Sequence, residues 1–233
     1  MENIYIIGDV HGCYKSLLAL IEQFPNKQNS KIVFVGDIVD KGANSCEVVE
    51  FIINNNYDCV MGNHEELFLE YAPTIDEFNG DFNMKYSPYY FEKCGGRATL
   101  KSYTSKELYI KHYKYLQSLP LYLEYPQYRT KDDRYLVVSH SSVASKWCLR
   151  NSDNKLHLED FRTMTLWGRW KQFDNNDIFN VYGHSPRSDA KITEFDANVD
   201  LGCSYSKRYI ENPRLCALEF PSMKVYTQES LEE

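Results

Sequence analysis

The sequence has no Cys-x-x-Cys pair, no block of lysine and arginine, and no apolar stretch long enough to span a bilayer. Its seven cysteines, Cys13, Cys46, Cys59, Cys94, Cys148, Cys203 and Cys216, are odd in number and widely spaced. That speaks against a disulfide framework or a structural zinc and for a reduced compartment. The opening, MENIYIIGDV, carries no basic leader and runs directly into a strand pattern. With no membrane-length run either, a cytoplasmic protein without a membrane partner is expected. The net charge of −7 offers no bulk attraction to nucleic acid, so no such partner is expected. No linker divides the 233 residues, and one large domain over 1–233 fits their length. Oligomeric state is left open. What is plentiful is tyrosine, 19 residues, expected at half-buried strand and surface positions where a ring with a polar tip sits well.

Apolar runs and turn residues alternate in the N-terminal third. Ile4–Ile7 reads as a buried strand ending at Gly8, 16–24 as a helix, and 32–35 as a second strand ending at Gly36. Residues 47–53 read as a helix, Val60 and Met61 as the close of a third strand at Gly62, and 65–71 as a helix. This βαβαβ order implies parallel strands. Residues 76–93, polar and aromatic with Gly80 and Pro88, are expected to be irregular. Helical patterns at 97–103 and 106–119 follow, so 72–119 is expected to be an insertion with a small helical cap. Residues 121–125, Tyr135–Ser139, Ile178–Tyr182, 192–195, 215–220 and 224–227 read as later strands. A charged turn is expected at 129–133 and polar loops at 151–155 and 174–177.

Three successive strands end in GDVHG (8–12), GDIVDKG (36–42) and GNHE (62–65). Parallel strands open their carboxyl ends onto one crevice, so sequence order becomes spatial convergence. Asp9 and His11, two apart, point the same way in an extended chain. Asp37 can bridge two ions, Asn63 adds a neutral oxygen, and VVSHS and VYGHS supply His140 and His184. Two carboxylates, one amide and three imidazoles without a thiolate suit Mn²⁺, Fe or Zn²⁺ rather than Ca²⁺. Two such ions can share and acidify a water that attacks phosphorus in line. His64, oriented by Asp40, is then the candidate general acid for the leaving oxygen. Lys41 and Arg169, the latter in LWGRW between Trp167 and Trp170, are candidate phosphate clamps, with Asn63 also within reach of the phosphate. Taken singly, an Asp after glycine is more often a turn residue, and His140 or His184 an ordinary core histidine; three strand-end motifs in order outweigh that. His112 and His157 are given no role. Neither Cys13 nor Cys203 sits in a phosphate-binding loop that would make its thiolate a nucleophile.

Together GDVHG, GDIVDKG, GNHE, His140 and GHSP resemble the signature of the phosphoprotein phosphatase family of calcineurin-like metallophosphoesterases, most of all its bacterial and bacteriophage lambda-type members. LWGRW, CGGRATLKSY and NVDLGC are similar to segments of those members, and the similarity runs over residues 4–220. The resemblance implies an α/β (α+β) chain with a central β-sandwich of mixed sheets flanked by helices. It also implies two divalent metals, Mn²⁺ first, and hydrolysis of a phosphomonoester, usually on a phosphorylated serine or threonine of a protein or peptide partner. The chain departs from the family in having Lys41 where arginine is usual, Ser141 after His140 where alanine is usual, and GHSP for Gly-His-Thr-Pro. Asp200 and Tyr205 match family positions near the site, where a structural role is as good a reading. The rivals are a diadenosine tetraphosphatase or other small-molecule phosphohydrolase, a tyrosine phosphatase on the same fold, and a non-catalytic phosphate-binding scaffold, which would have no use for an Asp40–His64 dyad.

Overall fold

A computed structural model describes residues 3–78, 87–169 and 174–232. In chain order the main elements are β1 (Ile4–Ile7), α1 (Tyr14–Glu22), β2 (Lys31–Phe34), α2 (Ser45–Asn54), β3 (Asp58–Cys59) and α3 (Asn63–Tyr71). There follow α4 (Gly96–Ser102), α5 (Lys106–Gln117), β4 (Tyr122–Arg129), β5 (Tyr135–Ser139), α6 (Lys155–Trp167) and β6 (Ile178–Tyr182). The chain closes with β7 (Lys191–Ile192), β8 (Asp196–Asn198), β9 (Arg214–Phe220) and β10 (Lys224–Glu229).

Strand residues point alternately to opposite faces, and here both faces are apolar. Ile4 and Ile6 of β1 face Val33, Val35, Leu136, Val138, Phe179, Val181 and Leu218, which fill the space between two sheets. Tyr5 and Ile7 face the other way, onto Leu17, Leu20 and Ile21 of α1 and on to Val48, Val49 and Ile52 of α2. Buried at i, i+3 and i+4, the three α1 side chains form one stripe. The outer face of the second sheet, Val137 and Ile178, is closed by Phe161 of α6 with Trp147 and Val143. Each fully buried aliphatic side chain contributes about 1.5–3 kcal/mol relative to exposure.

Both sheets are mixed and five-stranded. The first has the order β10-β9-β1-β2-β3, with β1, β2 and β3 parallel and β9 antiparallel to β1. The second has the order β4-β5-β6-β8-β7, with β5, β6 and β8 parallel. Two mixed sheets flanked by helices are the architecture that the resemblance implied. Three parallel strands from each sheet end at one rim of the sandwich.

Several boundaries differ from the pattern reading. The third strand ends at Cys59, although the Val60 N–H still reaches the Phe34 carbonyl at 3.1 Å. In place of a strand at 192–195 there are two short ones, because the Thr193 hydroxyl accepts from the Phe195 and Asp196 N–H groups and turns the chain. β4 runs on to Arg129, with an irregular register after Tyr125. The expected loop at 151–155 ends where α6 begins, capped by the Asn154 side chain on the Leu156 N–H at 2.9 Å. Tyrosine is also more deeply placed than expected: Tyr5, Tyr90, Tyr103 and Tyr109 are fully buried. Of the expected irregular stretch 76–93, residues 79–86 lie outside the described residues, as does Trp170; residues 90–94 form a wide helical turn.

Candidate functional site

The six parallel strand ends deliver the polar residues. Asp9 and His11 follow β1, Asp37 follows β2, and Asn63 opens α3 just beyond β3. From the second sheet, His140 follows β5, His184 follows β6 and Asp200 follows β8. All seven are buried. Asp9 and His11 do not converge through extended backbone, as the spacing suggested. His11 has φ +46°, and Asp37, Asp40, Lys41 and His184 are also left-handed, at +49°, +69°, +66° and +65°. Each such residue costs on the order of 1–3 kcal/mol and persists only where its surroundings over-determine it.

Glu65 supplies much of that constraint. It is fully buried, and its carboxylate accepts from the N–H groups of Asp37 (2.8 Å), Ile38 (2.9 Å), Val39 (3.2 Å) and Gly62 (2.8 Å). Burial and the Asp37 carboxylate push its pKa up to about 7, while four donors favour the ionised form. The motif reading included Glu65 without a role; its place three residues after Gly62, as in a capping box, was the available signal. Two glycines admit carboxylates: a Cβ at Gly183 would lie 1.9 Å from Asp9 Oδ1, and one at Gly62 would lie 2.3 Å from Asp37 Oδ1.

Hydrogen-bond partners assign the imidazole tautomers. His11 Nδ1–H donates to the Val39 carbonyl at 2.8 Å and His140 Nδ1–H to the Val35 carbonyl at 2.9 Å. Both therefore turn an Nε2 lone pair inward, as metal-ligating histidines do. His140 Nε2 lies 2.9 Å from Asn63 Oδ1 and 3.0 Å from His184 Nδ1, which is itself 2.9 Å from Asn63 Oδ1. Burial lowers the pKa of His11 and His140 and takes His184 to about 3, keeping these rings in the neutral, ligating form. Three acceptor atoms crowded together are a site for a cation.

Asp37 stands between the two halves. Oδ2 is 3.4 Å from His11 Nε2, and Oδ1 is 3.4 Å from His140 Nε2. Two ligand groups accordingly share it: His11, Asp37 and His64, and Asp37, His140 and His184. Asp9 lies outside both groups but lines the same cavity, accepting from the His184 N–H at 3.1 Å. Burial, Asp200 and Asp37 raise the Asp9 carboxyl, and burial takes Asp200 to about 6. Three buried carboxylates side by side call for positive charge. The residues present thus fit two divalent cations, which Asp9, His11, Asp37, Asn63, His140 and His184 would hold.

His64 stands apart through its partner. Its Nδ1 bonds Asp40 Oδ2 at 2.8 Å, leaving Nε2 toward the cavity. Burial lowers its pKa, but Asp37 and Asp40 outweigh burial and the net shift is upward. Asp40 is itself held by Tyr90 O–H (2.9 Å) and Thr99 O–H (2.7 Å) on Oδ1, neither of which the motifs announced. Lys41 enters the site, its Nζ 2.7 Å from His11 Nε2 and 4.8 Å from the Tyr205 ring centroid. Arg169 lines the same cavity of about 200 Å³, together with Lys93, Tyr89, Trp167 and Tyr205. A wider hollow of about 570 Å³, lined by Leu18, Phe51 and Tyr57, holds no ligand group among the described residues. A third group, Cys13, Cys203 and Glu232, lies beside the site. There Glu232 is taken up by the Lys15 and Ser16 N–H groups, and hydrogen bonding to Cys203, with burial, raises the Cys13 thiol.

Residues 2–219 match the sequence model of the calcineurin-like phosphoesterase family. The bis(5′-nucleosyl)-tetraphosphatase PrpE (asymmetrical) of Oceanobacillus iheyensis is 27% identical, over 94% of this chain and 89% of its own. Among solved structures, a putative diadenosine tetraphosphatase aligns with TM-score 0.61 at 20% identity, over 97% of this chain and 92% of its own. A serine/threonine phosphatase of Saccharomyces cerevisiae, described as similar to human PP5, aligns with TM-score 0.62 at 17% identity, over 100% and 81%. At these identities the two solved structures attest the fold. Among the described residues, no helix is long and apolar enough to cross a membrane.

Proposed function

Because this chain belongs to the calcineurin-like phosphoesterase family and is a phosphohydrolase, we propose that its substrate is a dinucleoside tetraphosphate, cleaved asymmetrically, rather than a phosphoprotein. The observation that carries this is the likeness to the Oceanobacillus iheyensis tetraphosphatase along nearly the whole of both chains. The cavity supports it. Lys41, Lys93 and Arg169 line one small space, more positive charge than a single phosphomonoester needs and a fair match for a chain of phosphates. The expected serine/threonine phosphatase thus gives way to what first stood as its rival.

Two divalent cations, Mn²⁺ or alternatively Fe or Zn²⁺ on this ligand set, would acidify a water and neutralise phosphate oxygens. The chain's own groups do the rest. His64 holds a proton at Nε2, kept there by Asp40 behind the ring, and delivers it to the leaving phosphate oxygen. Lys41 and Arg169 anchor the phosphate at the metals, with Asn63 beside it, and Lys93 receives the chain beyond. The loop after β2, tied to Glu65 at Asp37, Ile38 and Val39, keeps Asp40 and Lys41 in place before substrate arrives.

The test is a substrate panel with Mn²⁺: diadenosine tetraphosphate against phosphoserine, phosphothreonine and phosphotyrosine peptides. ATP and AMP should appear from the dinucleotide at a kcat/KM well above that for any peptide. Peptide turnover with none of the dinucleotide defeats the proposal, and ADP as sole product defeats the asymmetry.

A further inference from the structure

Trp167 ends α6 on the rim of the cavity and is 40% exposed. An indole offers a large, flat apolar face with a polar N–H at one edge. Its ring lies 6.5 Å from the His184 ring and at 85° to it, so it stands edge-on beside the proposed metal ligands. It is not free to turn. Its Nε1–H donates to Glu66 Oε2 at 2.7 Å, and Glu66 Oε1 accepts from Arg162 at 2.7 Å. Glu66 is on α3 and Arg162 on α6, so two helices and an ion pair fix the angle of an exposed aromatic face.

We propose that Trp167 is the stacking platform for one nucleobase of the substrate, with Glu66 and Arg162 as positioning residues that aim it. The proposal rests on the dinucleotide reading above and deepens it. Stacking suits any base, because every base presents a π-face, and a ring pinned in advance loses little entropy on binding. A phosphoserine peptide brings no ring next to its phosphate. The place of the platform matters too. Phosphate is held by Lys41 and Arg169 in the cavity that Trp167 borders, so the stacked base follows the reacting phosphate by one sugar. That is the arrangement in which the attacked phosphate carries a nucleoside directly, the geometry of asymmetric cleavage.

The experiment is intrinsic fluorescence of the Mn²⁺-loaded protein on titration with AMP, with ribose 5-phosphate as the base-free control. It is paired with KM for diadenosine tetraphosphate in Trp167→Ala and Trp167→Phe. AMP should quench emission and ribose 5-phosphate should not. In a Trp170→Phe background, Trp167→Phe should abolish the quench, since the third tryptophan, Trp147, is buried elsewhere in the fold. Trp167→Ala should raise KM by about tenfold or more, with Trp167→Phe recovering most of the loss. An undiminished AMP quench after Trp167→Phe in that background, or a wild-type KM in Trp167→Ala, overturns the proposal. If the wild type cleaves peptides and no dinucleotide, the substrate reading falls by itself, and the quench and its loss in Trp167→Phe still decide whether the platform binds a base.

Discussion

Asp40 shows how a single carboxylate is prepared. Oδ1 accepts from Tyr90 and Thr99, and Oδ2 faces His64. The carboxylate is thereby fixed behind the ring proposed as the proton donor. His64→Asn should cost much more on an alkyl phosphate, whose alkoxide needs a proton to leave, than on an aryl phosphate whose phenolate leaves unaided. Equal losses in kcat on the two would remove His64 from acid duty and point to a positioning or metal-site effect. Lys41 takes the place of a usual arginine and reaches His11 Nε2 and the Tyr205 face rather than solvent. As an ammonium it keeps the charge but not the planar fork. Lys41→Ala should lower kcat/KM by about 1.5–3 kcal/mol, the worth of a charged hydrogen bond, without lowering metal content. Steady-state kinetics with metal analysis check this; unchanged kcat/KM would leave Arg169 as the phosphate anchor without Lys41.

At the scale of elements, α2 and α5 are clipped together through Glu50. It accepts from His112 Nε2–H at 2.7 Å and from Lys111 at 2.8 Å, while His112 Nδ1 faces the Tyr103 hydroxyl at 3.2 Å. Such partners define a neutral His112, and burial lowers its pKa below 6.5. The hydrogen bonds from His112 and Lys111 bring Glu50 down to about 2 from 4.5. Both shifts mean that the unfolded chain binds more protons, so stability rises with pH through these ranges. The His112 contribution is whole above its unfolded value of 6.5 and declines below it; the Glu50 contribution is whole above 4.5 and is lost between 4.5 and about 2. Urea midpoints at pH 7, 5.5 and 3.5 should decline stepwise in the wild type. In Glu50→Gln the midpoint should start lower at pH 7 and lose the step below 4.5. Parallel pH profiles in the two proteins would show that the clip does not titrate as described.

Over the whole molecule, the proposed ligands are divided between two sheets: Asp9, His11, Asp37 and Asn63 on the first, His140 and His184 on the second. A cation held among them joins the halves of the sandwich and binds the folded state alone. Chelation should abolish activity reversibly with no change in far-UV circular dichroism, because the sandwich core is apolar and independent of the ligands. At a hundredfold excess over Kd, added Mn²⁺ should raise Tm by about 5–10 °C. Asp37→Asn should stay folded, since it removes one of three crowded carboxylates, yet lose both the activity and the Mn²⁺-dependent rise in Tm. A chelator-resistant activity would end the two-metal reading.

Much of this could be read along the chain. Ile4–Ile7, Tyr135–Ser139 and Ile178–Tyr182 are local apolar runs with polar stops, and periodicity alone sets their bounds. GDVHG, GDIVDKG and GNHE crowd their chemistry into a few residues after a strand, so Asp9, His11, Asp37, Asn63 and His64 could be picked out before any fold was known. Other features are made by distance in sequence and closeness in space. Glu65 clamps the loop at Asp37, Tyr90 and Thr99 reach Asp40 across about half a hundred residues of chain, and Trp167 is aimed by a glutamate 101 positions away. The left-handed turns at His11, Asp37 and His184 belong to this second kind: histidine and aspartate enter that region more readily than most residues, but the preference is too weak to mark a position along the chain. Short-range patterning determined which residues could form strands and which could serve as ligands. Only the packing of two sheets face to face, with their parallel strand ends at one rim, decided where their lone pairs meet, since hydrogen bonds and burial act through space without regard to order along the chain.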